Sequence, residues 1–120
     1  MAAAPEFNAD SAFAYTAAQC AFGPRVPNTE AHRLCGTYIA EKFKSFGATV
    51  TDQYADVKAY DGTVLKARNI IASYNPDAKA RILICGHWDS RPWADNDPDS
   101  ANWHKPVLAA NDAASDVAVM

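Results

Sequence analysis

An apolar run, Ile-Leu-Ile-Cys, within residues 81–86 restricts the fold of this 120-residue chain more than any other feature. An unbroken apolar run is typical of a strand that is covered on both faces, as in the parallel sheets of α/β proteins. We therefore expect residues 81–86 to form a buried strand in which Cys85 is a small apolar side chain. The motif His-Trp-Asp at residues 87–89 follows the run, so it lies at the carboxyl end of the strand, where open α/β sheets bind ligands.

The rest of the chain divides into helical and extended segments. Apolar residues at helical spacing predict two helices, at residues 8–22 and 27–46. A β-rich composition predicts two strands, at residues 48–57 and 63–74. The dipeptide Asp61-Gly62 predicts a hairpin turn between the two strands. Residues 90–108 are expected to form a long loop, and a further helix begins at Asn111 and Asp112. Helices, a hairpin and a buried strand together predict an α/β layered fold.

Composition excludes several classes of function. Eleven basic and 14 acidic residues give a net charge of −3, so there is no basic footprint for nucleic acid or for a membrane surface. No apolar run approaches the roughly 20 residues that a membrane span needs. The start of the chain shows no signal peptide. A hydrophobic content of 49% is enough to form a core.

Residues 87–89 and 111–112 together have the composition of a metal site. Catalytic zinc takes three protein ligands from His, Asp or Glu and keeps one position open. His87 and Asp89 point to the same face of an extended segment because side chains repeat every second residue. Asp112 stands at the start of a helix, where backbone amides can orient a carboxylate. The alternatives are a structural His87–Asp89 pair and an ordinary helix-terminal carboxylate at Asp112.

The remaining histidines and cysteines are expected to lie outside this site. His32 falls on a polar helix face and His104 in the long loop, so both are predicted to be surface residues. Cys20 and Cys35 lie on successive helices and could form a disulfide in an oxidising compartment or stay free, because sequence does not give their separation.

The long loop contains tryptophans and charged residues with two possible roles. The tryptophans could line a substrate pocket or could anchor the loop by packing: Trp88, Trp93 and Trp103. Arg91 is expected to pair with Asp95 or Asp97 and so to hold the loop in shape rather than to bind substrate.

At this point the motifs resemble those of the zinc-dependent peptidase family M28. The resemblance rests on a His-x-Asp motif after an apolar strand, a long loop, and the segment Ala-Asn-Asp-Ala-Ala-Ser at residues 110–115. Residues 87–97 are similar to the bacterial glutaminyl cyclases within this family. Residues 22–29, Phe-Gly-Pro-Arg-Val-Pro-Asn-Thr, and residues 67–72, Ala-Arg-Asn-Ile-Ile-Ala, add to the match.

The resemblance implies a three-layer α/β/α fold with a mixed sheet, incomplete in this chain, in which residues 1–120 are the N-terminal part of a single catalytic domain. It implies Zn²⁺ as the cofactor, with Asp112 as a ligand. His87 and Asp89 would form a catalytic pair that orients the ligand in the one-zinc cyclases. In the two-zinc aminopeptidases the counterpart of His87 binds a second metal and that of Asp112 bridges both metals. The general acid or base and the other ligands would lie beyond this chain.

The activity implied is zinc-dependent cyclisation of N-terminal glutamine to pyroglutamate with release of ammonia. The substrates would be peptides or proteins with an N-terminal glutamine, and the location would be periplasmic or secreted. An M28-type zinc aminopeptidase is the alternative, followed by a non-catalytic fragment or binding module on the same scaffold. Because one firm ligand cannot form a catalytic zinc site, we expect this chain alone to be inactive and to bind zinc weakly at most.

The chain departs from the family pattern at three positions. Ala109 and Ala113 stand where glycine is usual, and Asp116 replaces a glycine that lets the helix approach the sheet. A buried, unpaired carboxylate at position 116 would be costly. The packing around Asp116, and with it tight metal binding, is therefore in question.

Overall fold

The computed structural model describes residues 3–120; residues 1 and 2, at the start of the chain where a signal peptide was sought, lie outside it. Three α-helices, two strands and a short 3₁₀ turn are present in this order: α1 (Ala9–Ala21), α2 (Glu30–Ser45), β1 (Thr49–Lys58), β2 (Val64–Ser73), the 3₁₀ turn Ser100–Asn102, and α3 (Ser115–Val119). Among residues 3–120, no helix combines the length and the apolarity that crossing a membrane requires.

The first two helices begin and end close to their predicted bounds because both have strong terminal signals. The side chain of Asn8 accepts a hydrogen bond from the backbone N–H of Ser11 at 2.9 Å and caps α1. Thr29 caps α2 in the same way, accepting from His32 N–H at 3.3 Å. Gly47 follows α2 with φ +86°, a left-handed conformation that glycine adopts without strain.

The predicted hairpin is confirmed. β1 and β2 pair antiparallel, from Thr49 opposite Ser73 to Lys58 opposite Val64. Gly62 has φ +90° in the connecting turn, which explains why the Asp-Gly dipeptide marks it. Helix α2 packs against both strands, so the mixed α/β class is also confirmed.

The predicted buried strand at residues 81–86 is wrong for the described part of the chain. These residues form no strand, and Ile82 and Leu83 are 92% and 84% exposed. Cys85 is exposed as well, although we expected it in the core. Within residues 3–120 the two strands pair with each other, so no strand lies beside this run to accept its backbone hydrogen bonds. The sequence has the apolarity of a central strand, but no described residues cover it.

The core lies between α2, β2 and the segment that follows residue 86. Buried Cys35, Ile39 and Trp88 form its centre, and partly buried side chains surround them: Phe22, Tyr38, Phe43, Ile70 and Val117. Cys35 and Cys20 are free thiols, so of the two possibilities for these residues the structure shows the unpaired one. Burial raises the pKa of the Cys35 thiol to about 11, which keeps it protonated and unreactive at neutral pH.

Gly36 leaves the space that Trp88 occupies against α2. A Cβ atom at this position would stand 2.7 Å from Cη2 of Trp88 and 2.9 Å from Nη1 of Arg68. In an open helix interior, Gly to Ala is stabilising by about 1 kcal/mol. Here the clash with Trp88 outweighs this stabilisation. We therefore expect Gly36→Ala to lower the free energy of unfolding by about 1 to 3 kcal/mol.

Urea denaturation of the complete protein measures this effect, and a double-mutant cycle identifies its cause. In a Trp88→Phe background the two indole atoms nearest the new methyl group are gone, so Gly36→Ala should cost less than in the unsubstituted protein. An equal cost in both backgrounds would contradict the proposed clash with Trp88.

Candidate metal and catalytic site

His87 lies between two carboxylates. Its Nε2 is 2.7 Å from Oδ1 of Asp112. Its Nδ1 faces Asp89, at 3.1 Å from the backbone carbonyl oxygen and 3.2 Å from Oδ1. The structure thus joins the motif at residues 87–89 to Asp112, which is 25 residues away in the chain. Their positions after an apolar run and before a helix predict that these residues lie together; their roles as an orienting pair and a zinc ligand stay predictions.

Both ring nitrogens of His87 face oxygen acceptors, which favours the doubly protonated imidazolium. Partial burial lowers the pKa of His87, but the hydrogen bond to the Asp112 side chain and the contacts with Asp89 outweigh it, and the pKa is raised. His87 therefore donates from Nε2 to Asp112 and fixes one carboxylate oxygen in place. Residues 3–120 provide no hydrogen bond to the other oxygen of Asp112, and the side chain is 88% exposed.

The backbone before α3 places Asp112 at the site. Ala109 has φ +55° and ψ +48°, and residues Ala110–Ala114 form a wide helical turn in which Asp112 and Ala113 have non-helical angles. A left-handed conformation costs a residue with a side chain about 1 to 2 kcal/mol, a cost that a glycine at position 109 would avoid. Asp116 is exposed, so the buried carboxylate that we anticipated at this position does not arise.

The donor chemistry of this site fits zinc in part. Imidazole and carboxylate groups are common zinc ligands, and Asp112 presents one uncommitted oxygen. Within residues 3–120, however, no three His, Cys, Asp or Glu side chains are grouped so that they could hold a metal ion. The two carboxylates lie on opposite sides of the His87 ring rather than converging with it on one point.

Trp88 fixes the segment that carries His87 and Asp89. Its indole N–H donates to the backbone carbonyl of Arg68 at 3.2 Å, and its ring stacks on His32 with centroids 3.9 Å apart. The expectation that His32 is a surface residue is therefore wrong, since it is only 8% exposed. The physical reason is that the bulky side chain of Trp88 covers this face of α2, a long-range contact that helical periodicity does not report.

Burial makes His32 a pH-sensitive element of the fold. Desolvation lowers the pKa of His32, and the charge of Arg68 acts in the same direction, while the charge of Asp89 opposes them. The unfolded chain therefore binds a proton more readily than the folded chain does. His32 should stabilise the fold fully above its unfolded pKa of about 6.5, and this contribution should decline as the pH falls toward the lower, folded pKa.

This prediction is tested by comparing the unsubstituted protein with His32→Phe, which keeps an aromatic ring against Trp88. As the pH is lowered from about 8 to about 5, the free energy of unfolding of the unsubstituted protein should fall relative to that of His32→Phe. His87 titrates in both proteins and cancels in the difference. A difference that stays constant with pH would contradict the prediction.

The loop at residues 90–108 is held by its own side chains. Arg91 pairs with Asp95 at 2.7 Å, as expected. The indole N–H of Trp103 donates to the backbone carbonyl of Asp97 at 2.7 Å. His104 is on the surface, as predicted, and meets the ring of Trp93 edge to face at 4.7 Å. Of the three tryptophans, Trp88 is a buried packing anchor, while the other two remain partly exposed.

Arg25 is the important residue that the sequence analysis did not identify. It is fully buried, and its guanidinium donates to the backbone carbonyls of Trp88, Leu108 and Ala109, at 3.1, 2.9 and 3.0 Å. These three carbonyls belong to the two segments that carry the candidate site. The signal available in the sequence was an arginine between two prolines in the short connection from α1 to α2. Charged residues are rarely buried, so this signal did not predict a buried arginine.

Comparison with known proteins gives a family match and several similar solved structures. Residues 69–120 match peptidase family M28. Solved structures match almost the whole chain. One is a leucine aminopeptidase precursor from Bacteroides thetaiotaomicron, at 59% identity over 98% of this chain and 41% of that chain, with a TM-score of 0.96.

Two further structures are similar to the same degree. A glutaminyl cyclase from Bacteroides thetaiotaomicron is 60% identical over 97% of this chain and 40% of its own, with a TM-score of 0.95. A Zn-dependent exopeptidase from Parabacteroides distasonis is 55% identical over 97% and 40%, with a TM-score of 0.94. A comparison with curated proteins gives no significant match. The chain thus spans about two-fifths of the length of these structures, and the match over residues 69–120 makes it similar to peptidase family M28.

Proposed function

We propose that the complete protein is a zinc-dependent glutaminyl cyclase, and that residues 1–120 form part of its single catalytic domain. It converts an N-terminal glutamine to pyroglutamate. In this reaction the α-amine of the substrate forms a bond to its own γ-carbonyl carbon, the bond from that carbon to the side-chain nitrogen breaks, and ammonia leaves with the proton that the amine gives up. Because the reaction is intramolecular, the enzyme mainly has to orient the chain and to stabilise the charge on the carbonyl oxygen.

Sequence identity does not separate the cyclase from an aminopeptidase. The glutaminyl cyclase and the leucine aminopeptidase precursor from Bacteroides thetaiotaomicron are 60% and 59% identical to this chain. The proposal therefore has to rest on the geometry of the side chains that would differ between the two mechanisms.

The contact between His87 Nε2 and Asp112 Oδ1 is the observation that carries the proposal. Two atoms that bind the same tetrahedral zinc at about 2.0 to 2.1 Å lie about 3.3 Å apart. The observed 2.7 Å is the length of a direct hydrogen bond between charged groups. This distance supports His87 as a residue that orients the carboxylate, as in the one-zinc cyclases.

Under this proposal, each of the three site residues has a defined role. Asp112 would hold zinc through the carboxylate oxygen that does not contact His87, and His87 would orient the carboxylate through the other oxygen. Asp89 holds the ring of His87 and stabilises its protonated form. When bound, zinc supplies Lewis acidity toward the γ-carbonyl oxygen. Moving the proton from the amine to ammonia requires a further acid or base, which we assign to a residue outside this chain.

Parallel assays with two peptides test the proposal. The complete, zinc-loaded protein is incubated with a peptide that begins with glutamine and with one that begins with alanine, and ammonia and free amino acids are measured. We expect ammonia from the first peptide and no amino acid from either. Free alanine, or free glutamine without ammonia, would overturn the proposal.

An M28-type aminopeptidase is the second candidate. It is supported by the names of two similar structures, the leucine aminopeptidase precursor and the Zn-dependent exopeptidase. In this case His87 would bind a second metal and Asp112 would bridge both, which requires the hydrogen bond between them to break. A zinc content of two per chain, with free alanine in the assay above, would favour this candidate.

We further propose that the protein acts outside the cytoplasm, in the periplasm or after secretion, on peptides or proteins with an N-terminal glutamine. The resemblance to bacterial glutaminyl cyclases supports both statements. Fractionation of cells that express the complete protein tests the location, and recovery of the protein in the cytoplasmic fraction would contradict it.

A further inference from the structure

The guanidinium of Arg25 is bonded at every position where it can donate. A guanidinium carries five N–H groups in a rigid plane. In this protein it makes five hydrogen bonds, and all five acceptors are backbone carbonyl oxygens: those of Trp88 (3.1 Å, from Nε), Gly23 and Gln19 (3.3 and 3.5 Å, from Nη1), and Leu108 and Ala109 (2.9 and 3.0 Å, from Nη2). We call this arrangement the Arg25 clamp.

The clamp joins three parts of the chain that are distant in sequence. It holds the end of α1 through Gln19 and Gly23, the motif that contains His87 through Trp88, and the turn that leads to Asp112 through residues 108 and 109. The backbone of Arg25 adds to this, because its carbonyl accepts from the N–H of Ser90 at 3.0 Å. The motif at residues 87–89 is therefore held at its middle residue, Trp88, and at Ser90, which follows it.

Burial of Arg25 has no ion pair to offset it. The residue is fully buried, and among residues 3–120 no carboxylate forms a salt bridge with it. A buried charge is costly unless its hydrogen bonds are satisfied, and here carbonyl dipoles alone satisfy them. An apolar side chain would fill the same space without this cost, but it would not fix the positions of the carbonyls on the two site segments.

We propose that Arg25 is a positioning residue for the candidate site, and that the clamp sets the separation of His87 and Asp112. Arg25 touches neither of them. It fixes the residue next to His87 and the left-handed residue three positions before Asp112, so the two side chains meet at hydrogen-bond distance. The consequence for catalysis rests on the proposed function, while the consequence for zinc binding and for the mobility of Arg25 does not.

The fixed planar arrangement of the guanidinium N–H groups, and not the positive charge of Arg25, sets this separation. A lysine ammonium donates from a single atom and has no fixed plane, so it cannot reach carbonyls on both site segments at once. Arg25→Lys therefore keeps the charge and loses the geometry. Arg33→Lys is the matched control, because Arg33 is an exposed arginine on α2 whose partner is Glu30.

The variants are compared in the complete protein by zinc affinity, in competition with a chelator, and by cyclase kinetics. We expect Arg25→Lys to weaken zinc binding at least about tenfold and to lower kcat by a similar factor with KM nearly unchanged, since Arg25 does not touch substrate. Arg33→Lys should change neither. Unaltered zinc affinity in a folded Arg25→Lys protein would overturn the proposal.

A measurement on the unsubstituted protein keeps the test decisive if Arg25→Lys does not fold. With ¹⁵N-labelled arginine, a clamped guanidinium should show separate, slowly exchanging signals for its Nη protons, because rotation about Cζ–N would break hydrogen bonds. Arg33 provides the internal reference for a solvent-exposed guanidinium. Nη signals of Arg25 that average and exchange as fast as those of Arg33 would show that no clamp exists.

The two proposals can fail separately. If the unsubstituted protein releases no ammonia from a glutamine peptide, the proposed function is wrong, while zinc affinity and the arginine signals still test the clamp. If ammonia is released but zinc affinity in Arg25→Lys is unchanged, the clamp is wrong and the proposed function stands.

Discussion

Asp112→Ala in the complete protein is expected to abolish stoichiometric zinc binding and to lower the proposed cyclase activity by more than about 100-fold, since changing residues that only support a ligand already costs about 10- to 100-fold. The side chain is 88% exposed, and its protein hydrogen bond is to His87, so little stability is lost with it. The variant should therefore be folded but deficient in metal. Zinc content by elemental analysis and a glutamine-peptide assay measure the two effects.

Two further variants test whether zinc binding depends on the negative charge of residue 112 and on its position in the chain. Asp112→Asn keeps the shape and an oxygen acceptor for His87 but removes the negative charge, so zinc affinity should fall while the fold is unchanged. Asp116→Ala removes an exposed carboxylate four residues further on and should leave zinc content and activity unaltered. Full zinc content in Asp112→Ala would contradict the assignment of this residue as a ligand, whatever the activity of the protein.

The second large effect is expected for Trp88→Ala, which should lower the free energy of unfolding by about 3 to 5 kcal/mol. The indole is buried in the core cluster with Cys35 and Ile39, and it stacks on His32. Its removal leaves a cavity, and it also leaves the backbone carbonyl of Arg68 without the indole N–H donor. Denaturant unfolding of the complete protein measures the loss.

Trp93→Ala is the control for Trp88→Ala. Trp93 also lies in the chain that follows the apolar run, but it is 48% exposed and its ring contacts His104 at the surface. We expect its truncation to cost less than about 1 kcal/mol, as is usual for surface positions. Similar losses in both variants would mean that Trp88 is not the anchor of the segment that carries His87.

The helices and the hairpin could be predicted because local signals determine them. Asn8 and Thr29 cap their helices with side chains that accept from backbone N–H groups three residues on. Gly47 and Gly62 have positive φ where the chain ends a helix or turns. Each of these signals acts over a few residues, so the sequence alone carries it.

The errors arise where distant residues decide the outcome. His32 occupies a position that helical spacing assigns to the surface, but Trp88 covers it from 56 positions further along the chain. Residues 81–86 have the composition of a central strand, but a strand needs a neighbour to accept its backbone hydrogen bonds, and composition does not supply one. Neither fact is present in a local window of sequence.

The candidate site was partly predictable for a related reason. His87 and Asp89 were expected on one face from their spacing. Asp112 was expected at the beginning of a helix, but it has non-helical backbone angles and α3 begins three residues later, at Ser115. The Arg25 clamp was not predicted, because five backbone carbonyls from three segments have no sequence signature of their own. The residues that do the chemistry can be read from their side-chain types, whereas the residue that aligns them is recognised only from its contacts.

The uncovered run at residues 82–84 has a consequence for handling the protein. Three aliphatic side chains there are between 68% and 92% exposed, and the backbone beside them pairs with no described strand. A second molecule can satisfy both deficits by aligning its own copy of the run, as in cross-β association. The chain by itself should therefore become turbid with rising concentration, and Leu83→Lys should delay the onset of light scattering.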